Sequence, residues 1–169
     1  IAHYIGMVAT CILLVRKRMK AEKYRGVKMM NDLLLQSEYA DIIIELLNDP
    51  YNVASVVKIV FLAFCVRNEQ KVSYGSRKTD FVDVLLNNLD IKLLSHPDEL
   101  KSIFEVLNKM ENCGWIKTEN GKISILKDFD YSKSENRFLT GCRGREINPI
   151  IEVNKLDDRA FIEEVLRHV

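Results

Sequence analysis

The chain has 169 residues, 47% of them apolar and 29% charged, with a formal charge of +1. That length holds one domain, or one domain with appendages, and enough apolar side chains to fill a core. Its four scattered cysteines (Cys11, Cys65, Cys113, Cys142) contain no Cys-x-x-Cys pair and share no ligand spacing with His3, His96 or His168, which excludes a disulfide framework and a zinc site and suits a reducing compartment.

The near-neutral total hides two unlike parts. Residues 1–30 carry seven basic side chains against Glu22 alone, a charge of +6, so residues 31–169 carry −5. An acidic body repels nucleic acid and suits protein partners with basic patches. Ile1 to Val15 is largely apolar and precedes Arg16-Lys17-Arg18-Met19-Lys20. Fifteen residues fall short of the ~20 that cross a hydrocarbon core. The charges also follow the apolar stretch, the reverse of a secretory signal. Patterning changes abruptly at Met30. The reading adopted is that the native start lies at Met29 or Met30, with the preceding tract read through from upstream or added in cloning. The alternatives are the end of a membrane helix with a basic stop, or a helix packed on the body.

From Asn31 to Gln36 runs a short apolar lead-in, Leu33-Leu34-Leu35. Ser37 then caps a helix to about Asn48, with Tyr39, Ile42, Ile43, Leu46 and Leu47 at helical spacing and Asp49-Pro50 as its stop. Asn52 is the next N-cap. Val53 to Val66, polar only at Ser55 and Lys58, is a buried central helix, too short to span a membrane. A polar loop from Asn68 to Ser76 leads to a third helix, capped by Ser76 or Thr79 and presenting Phe81, Val82, Leu85, Leu86 and Leu89. In Asp90 to Leu94, Ile91 and Leu93 alternate with Asp90 and Lys92, which points to a short connecting strand.

Ser95-His96-Pro97-Asp98 has the form of a capping box with proline in the first turn. It opens a helix with Leu100, Ile103, Phe104 and Leu107 on one face, and Gly114 stops it. A hairpin comes next, with no linker. A two-residue Asn120-Gly121 turn of type I′ pairs Glu119 with Lys122, Thr118 with Ile123 and Ile116 with Ile125. One register thus separates an apolar face from a charged one, as a half-buried ribbon needs. Trp115 plugs the core between helix and hairpin. Lys127 to Asn154 is polar and irregular, although Ile147 and Pro149-Ile150-Ile151 can dock. Asp157 caps a last helix to about His168, with Phe161, Ile162, Val165, Leu166 and Val169 on one stripe.

The fold class expected is mainly α with a small β-hairpin: a winged helix-turn-helix-like domain plus a C-terminal helical appendage. Its divisions are 1–30, 31–128 as the winged-helix-like domain, and 129–169 as linker and C-terminal helix. Such domains usually read DNA. Here the helix before the hairpin carries Asp98, Glu99, Glu105 and Glu111 against Lys101 and Lys109, and no arginine. A duplex bears one negative charge per ~1.7 Å of axis, so that helix is badly suited to it.

Thr140-Gly141-Cys142-Arg143-Gly144-Arg145-Glu146 is the one stretch that invites a reactive site, since neighbouring arginines favour a thiolate. No phosphate-binding loop and no placed His/Asp partner accompanies it. It reads as a flexible connector, with Arg143 and Arg145 available to an acidic partner. Asp128, Asp130, Asp157 and Asp158 lack the spacing of a calcium loop and read as turn and cap residues.

The hydrophobic helix Val53 to Val66, the ending Glu99-Leu100 … Asn112-Cys113-Gly114-Trp115-Ile116 and the charged tail resemble the middle components of bacterial ABC-three-component conflict systems. The resemblance covers about Met30 to Lys127 and rests on pattern. It implies a cytoplasmic, non-enzymatic adaptor encoded beside an ABC-type ATPase and an effector in antiviral defence, with no catalytic motif to carry over. Protein partners are expected, through Phe161, Ile162, Val165 and Leu166 with Arg143 and Arg145. No cofactor, metal, small-molecule substrate or membrane is expected. The alternative is a DNA-binding regulator using Lys101, Asn108 and Lys109 in the groove and Lys117 and Lys122 on phosphate. A third reading, an enzyme using Cys142, carries least.

Overall fold

The computed structural model describes residues 25–69, 85, 86, 88–126, 134–145 and 147–169. The apolar and basic tract up to residue 24, most of the expected third helix with its caps Ser76 and Thr79, and Asp128 and Asp130 lie outside the described residues. What is described is mainly helical, with one two-stranded antiparallel sheet.

Helix α1 runs from Arg25 to Leu47, so it begins twelve residues before the expected cap at Ser37. Leu33-Leu34-Leu35 is not a lead-in but part of the helix, because no breaker stands between it and Ser37, and Leu33 and Leu35 extend the half-buried stripe. The stop is where Asp49-Pro50 suggested. There Asn52 adopts φ +48° and serves as a turn residue, not a cap, its Nδ2 donating to Asp49 Oδ1 at 2.9 Å. Asparagine tolerates the left-handed region as readily as it caps, so the same residue type signals both. The actual N-cap of α2 (Val56–Asn68) is Ser55, whose Oγ accepts from Lys58 N at 3.4 Å. Helix α2 is the buried central helix expected, with Ile59, Leu62, Ala63, Phe64, Cys65 and Val66 sealed from solvent.

Leu85 and Leu86 are helical and buried, but Asn88 turns left-handed at φ +56° and the chain starts again as α3 (Leu89–Ser95). The expected strand at Asp90 to Leu94 is therefore a helix. Leu89 and Leu93, four residues apart, face the core, while Ile91 and Leu94 face solvent. Over five residues an alternating pattern and a helical one share too many positions to be told apart. Ser95 closes α3 and caps nothing. His96 N donates to Lys92 O instead, and α4 (Glu99–Asn112) begins after Asp98 without a side-chain cap. Ile103, Val106, Leu107 and Met110 are buried, and Phe104, expected among them, is half exposed.

The end of α4 and the hairpin match the sequence closely. Gly114 takes φ +67°, its N–H donating to Glu111 O at 2.8 Å, while Trp115 N donates to Met110 O at 2.9 Å. Those two bonds are a Schellman stop. Strands β1 (Ile116–Glu119) and β2 (Lys122–Ile125) pair in the expected register. Asn120 and Gly121 both have positive φ, at 52° and 73°, as a type I′ turn requires. A Cβ at Gly121 meets nothing within 4 Å, so Gly121→Ala isolates backbone strain. We expect it to cost about 1 kcal/mol in urea unfolding. Strand β2 has a second neighbour besides β1. Ile123 N donates to Ala54 O at 2.6 Å and Val56 N to Gly121 O at 3.0 Å, with a bridge between Ser55 and Lys122. The extended residues just before α2 thus lie along the free edge of the hairpin.

Three further helices complete the described residues: α5 (Arg137–Cys142), α6 (Pro149–Asn154) and α7 (Asp158–Arg167). Asp157 caps α7 as expected, accepting from Ala160 N at 2.7 Å. Asn136 and Asn148 cap α5 and α6, where the sequence read irregular chain. Phe138, Leu139, Cys142, Ile150, Val153, Phe161 and Val165 join the same core as α1, α2 and α4. The segment read as linker and appendage thus contributes buried side chains to the core of the helices before it.

Candidate functional site

Two buried carboxylates organise the polar interior. Glu99, at the start of α4, accepts from Tyr39 Oη at 2.5 Å, Arg67 NH1 at 2.6 Å and Asn68 Nδ2 at 2.8 Å. His96 Nδ1, on an exposed side chain, lies 3.3 Å from Glu99 Oε1 at the edge of this cluster. The Arg67 guanidinium also stands 5.6 Å from the Tyr39 ring centroid. Burial first, and then the bond to Glu99, push the Tyr39 hydroxyl well above its usual pKa. It stays a donor. The cluster fixes α4 against α1 and α2 and leaves no reactive group free.

The second carboxylate is Glu45 of α1. Arg143 grips it bidentately, NH2 reaching Oε2 at 2.7 Å and Nε reaching Oε1 at 3.1 Å, and also donates to Ser134 O. Ser134 N donates to Glu45 at 2.7 Å. Arg143, expected to contact a partner, is therefore a structural anchor. Arg145 is exposed, its Nε donating to Gly141 O. Cys142 is buried on a helix, not on a flexible connector, and burial pushes its thiol up to about 11 despite the opposing charge of Arg145. A thiol so placed is protonated at neutral pH and is a poor nucleophile. Among the described residues, no group of three or more His, Cys, Asp or Glu side chains is placed to hold a metal ion, and no helix is long and apolar enough to cross a membrane.

The terminal stripe divides in two. Phe161 is fully buried with its ring edge-on to Phe61 at 6.4 Å, and Val165 is buried beside it. Neither can meet a partner, which corrects two of the four expected contacts. Ile162, Leu166 and Val169 face outward, Leu166 with 69% and Val169 with 65% of its surface free. Several apolar positions within three turns cover more than one face of a helix, and only packing decides which are inside. Asp90 N donates to His168 O at 3.3 Å, which brings the end of α7 against the start of α3. Ile91 and Leu94 of α3, the latter 82% exposed, face solvent further along that helix. Nothing in the sequence announced that neighbourhood, because α3 was read as a strand.

The residues expected to read DNA are all at the surface, and each lysine among them already has a partner. Lys101 lies 3.8 Å from Glu105, Lys117 2.6 Å from Glu119 and Lys122 3.4 Å from Asp158. Lys109 donates to Gln36 Oε1 at 2.5 Å, and Asn108 is exposed between them on α4. Asp158 also approaches Lys58, whose ammonium is buried and capped by the carbonyls of Asn154 and Leu156. The Ser55 hydroxyl and the two lysines hold the Asp158 carboxyl below the usual range.

A groove of about 670 Å³ opens between α1, the end of α2 and the approach to α5, lined by Asp41, Arg67, Asn68, His96, Glu135 and Arg137 among others. Burial, reinforced by the charge of Glu135, pushes the Asp41 carboxyl up to about 6. A raised folded-state pKa means the native protein holds this proton more tightly than the unfolded chain. Stability should therefore rise as pH falls from about 7 through 6 towards 4. Asp41→Asn should remove that rise and stabilise the protein at about pH 7.5. Urea midpoints of the two proteins across this range, unequal above about pH 6 and converging below it, are the check.

Compared with protein-family models, curated proteins and solved structures, the chain matches none.

Proposed function

We propose that this protein is a non-enzymatic adaptor. It works in the bacterial cytoplasm through protein–protein contacts, linking an ABC-type ATPase and an effector in a defence system of the three-component kind that the sequence resembles. The observation that carries the reading is the set of outward apolar side chains on two helices, Ile162 and Leu166 of α7 with Val169 at its end and Ile91 and Leu94 of α3, together with the carboxylate partners of Lys101, Lys117 and Lys122. Large apolar side chains left exposed on neighbouring turns of a helix favour a polypeptide partner. A lysine paired with a carboxylate must give up that contact to neutralise a phosphate, which reduces its net gain on DNA.

The order of elements supports a winged-helix variant as the scaffold. An extended segment lies between the first two helices, a helix runs directly into a hairpin, and that segment pairs with the outer hairpin strand. In that arrangement α4 and the hairpin take the positions that usually face DNA, and α7 and α3 supply the adaptor contacts.

The experiment is co-purification with the products of the neighbouring genes. The wild-type chain should hold its partner through a sizing column. Leu94→Glu with Leu166→Glu should lose at least about tenfold in affinity while keeping its circular dichroism spectrum and unfolding midpoint. Retardation of random duplex DNA at low salt, abolished by Lys101→Ala and Lys109→Ala, would return the DNA-binding regulator in its place.

A further inference from the structure

We draw no further inference here: the strongest candidate, the groove between α1 and the approach to α5 where Asp41 and Glu135 face each other without an ion pair among the described residues, is an acidic pair for which no second feature of the structure points to a ligand.

Discussion

Arg143→Ala should destabilise the protein by about 3–5 kcal/mol, read as a fall in the urea midpoint at unchanged slope. The magnitude comes from what is left behind. Glu45 is 3% exposed, and once the guanidinium is gone its carboxylate keeps only the Ser134 amide as a donor among the described residues. A buried charge without its counter-ion must either be protonated or draw water into the core, and both are costly. Replacing both partners, Glu45→Met with Arg143→Met, should recover part of the loss, since the desolvation penalty of the pair disappears while Ser134 N–H and C=O lose their partners. The single variant separates two roles for Arg143. A partner contact would lose binding at full stability, whereas an anchor between α1 and the α5–α6 turn loses the fold. An Arg143→Ala protein within about 0.5 kcal/mol of wild type would refute the anchor.

Phe161→Ala should cost about as much, roughly 3–5 kcal/mol, while Leu166→Ala, further along the same helix, should stay within about 0.5 kcal/mol. Phe161 fills space beside Phe61, and truncating it leaves a cavity that rigid neighbours on α2 close only in part. Leu166 borders solvent, so its truncation opens no cavity. The contrast bears on domain organisation. If residues 134–169 were a separable appendage, Phe161→Ala would loosen α7 alone and leave the main unfolding transition in place. Side chains from α5, α6 and α7 lie in the same core as Tyr39, Phe64 and Ile103, so we expect one transition, shifted as a whole. Equal midpoints for the two variants would contradict that packing.

The parts of the molecule legible in the sequence are those set by backbone chemistry over a few residues. Asn120-Gly121 can adopt two consecutive positive φ angles at little cost, and the turn and the hairpin register came out as read. Gly114 ended α4 for the same reason, and Asp157 capped α7 because its side chain reaches amides three residues on. The buried run around Phe64 was equally plain, since so continuous an apolar stretch has nowhere else to go.

What failed were signals that serve two purposes. Ser37, Asn52 and Ser95 are each good caps in isolation. The structure instead places Ser37 within α1, Asn52 in a left-handed turn and Ser95 at the end of α3. The tail was misread because its polar composition hid Asn136 and Asn148-Pro149 as helix starts, and because the arginine opposite Glu45 lies 98 residues away in sequence. The sequence alone therefore determined the helix-to-hairpin unit, the buried α2 and the acidic character of the body. Only the tertiary structure decided that Arg143 is an anchor, that Phe161 and Val165 face inward, and that α3 meets the end of α7. Local bonds are made by residues near in the chain, whereas which apolar face is buried and which charges meet depend on partners that folding alone brings together.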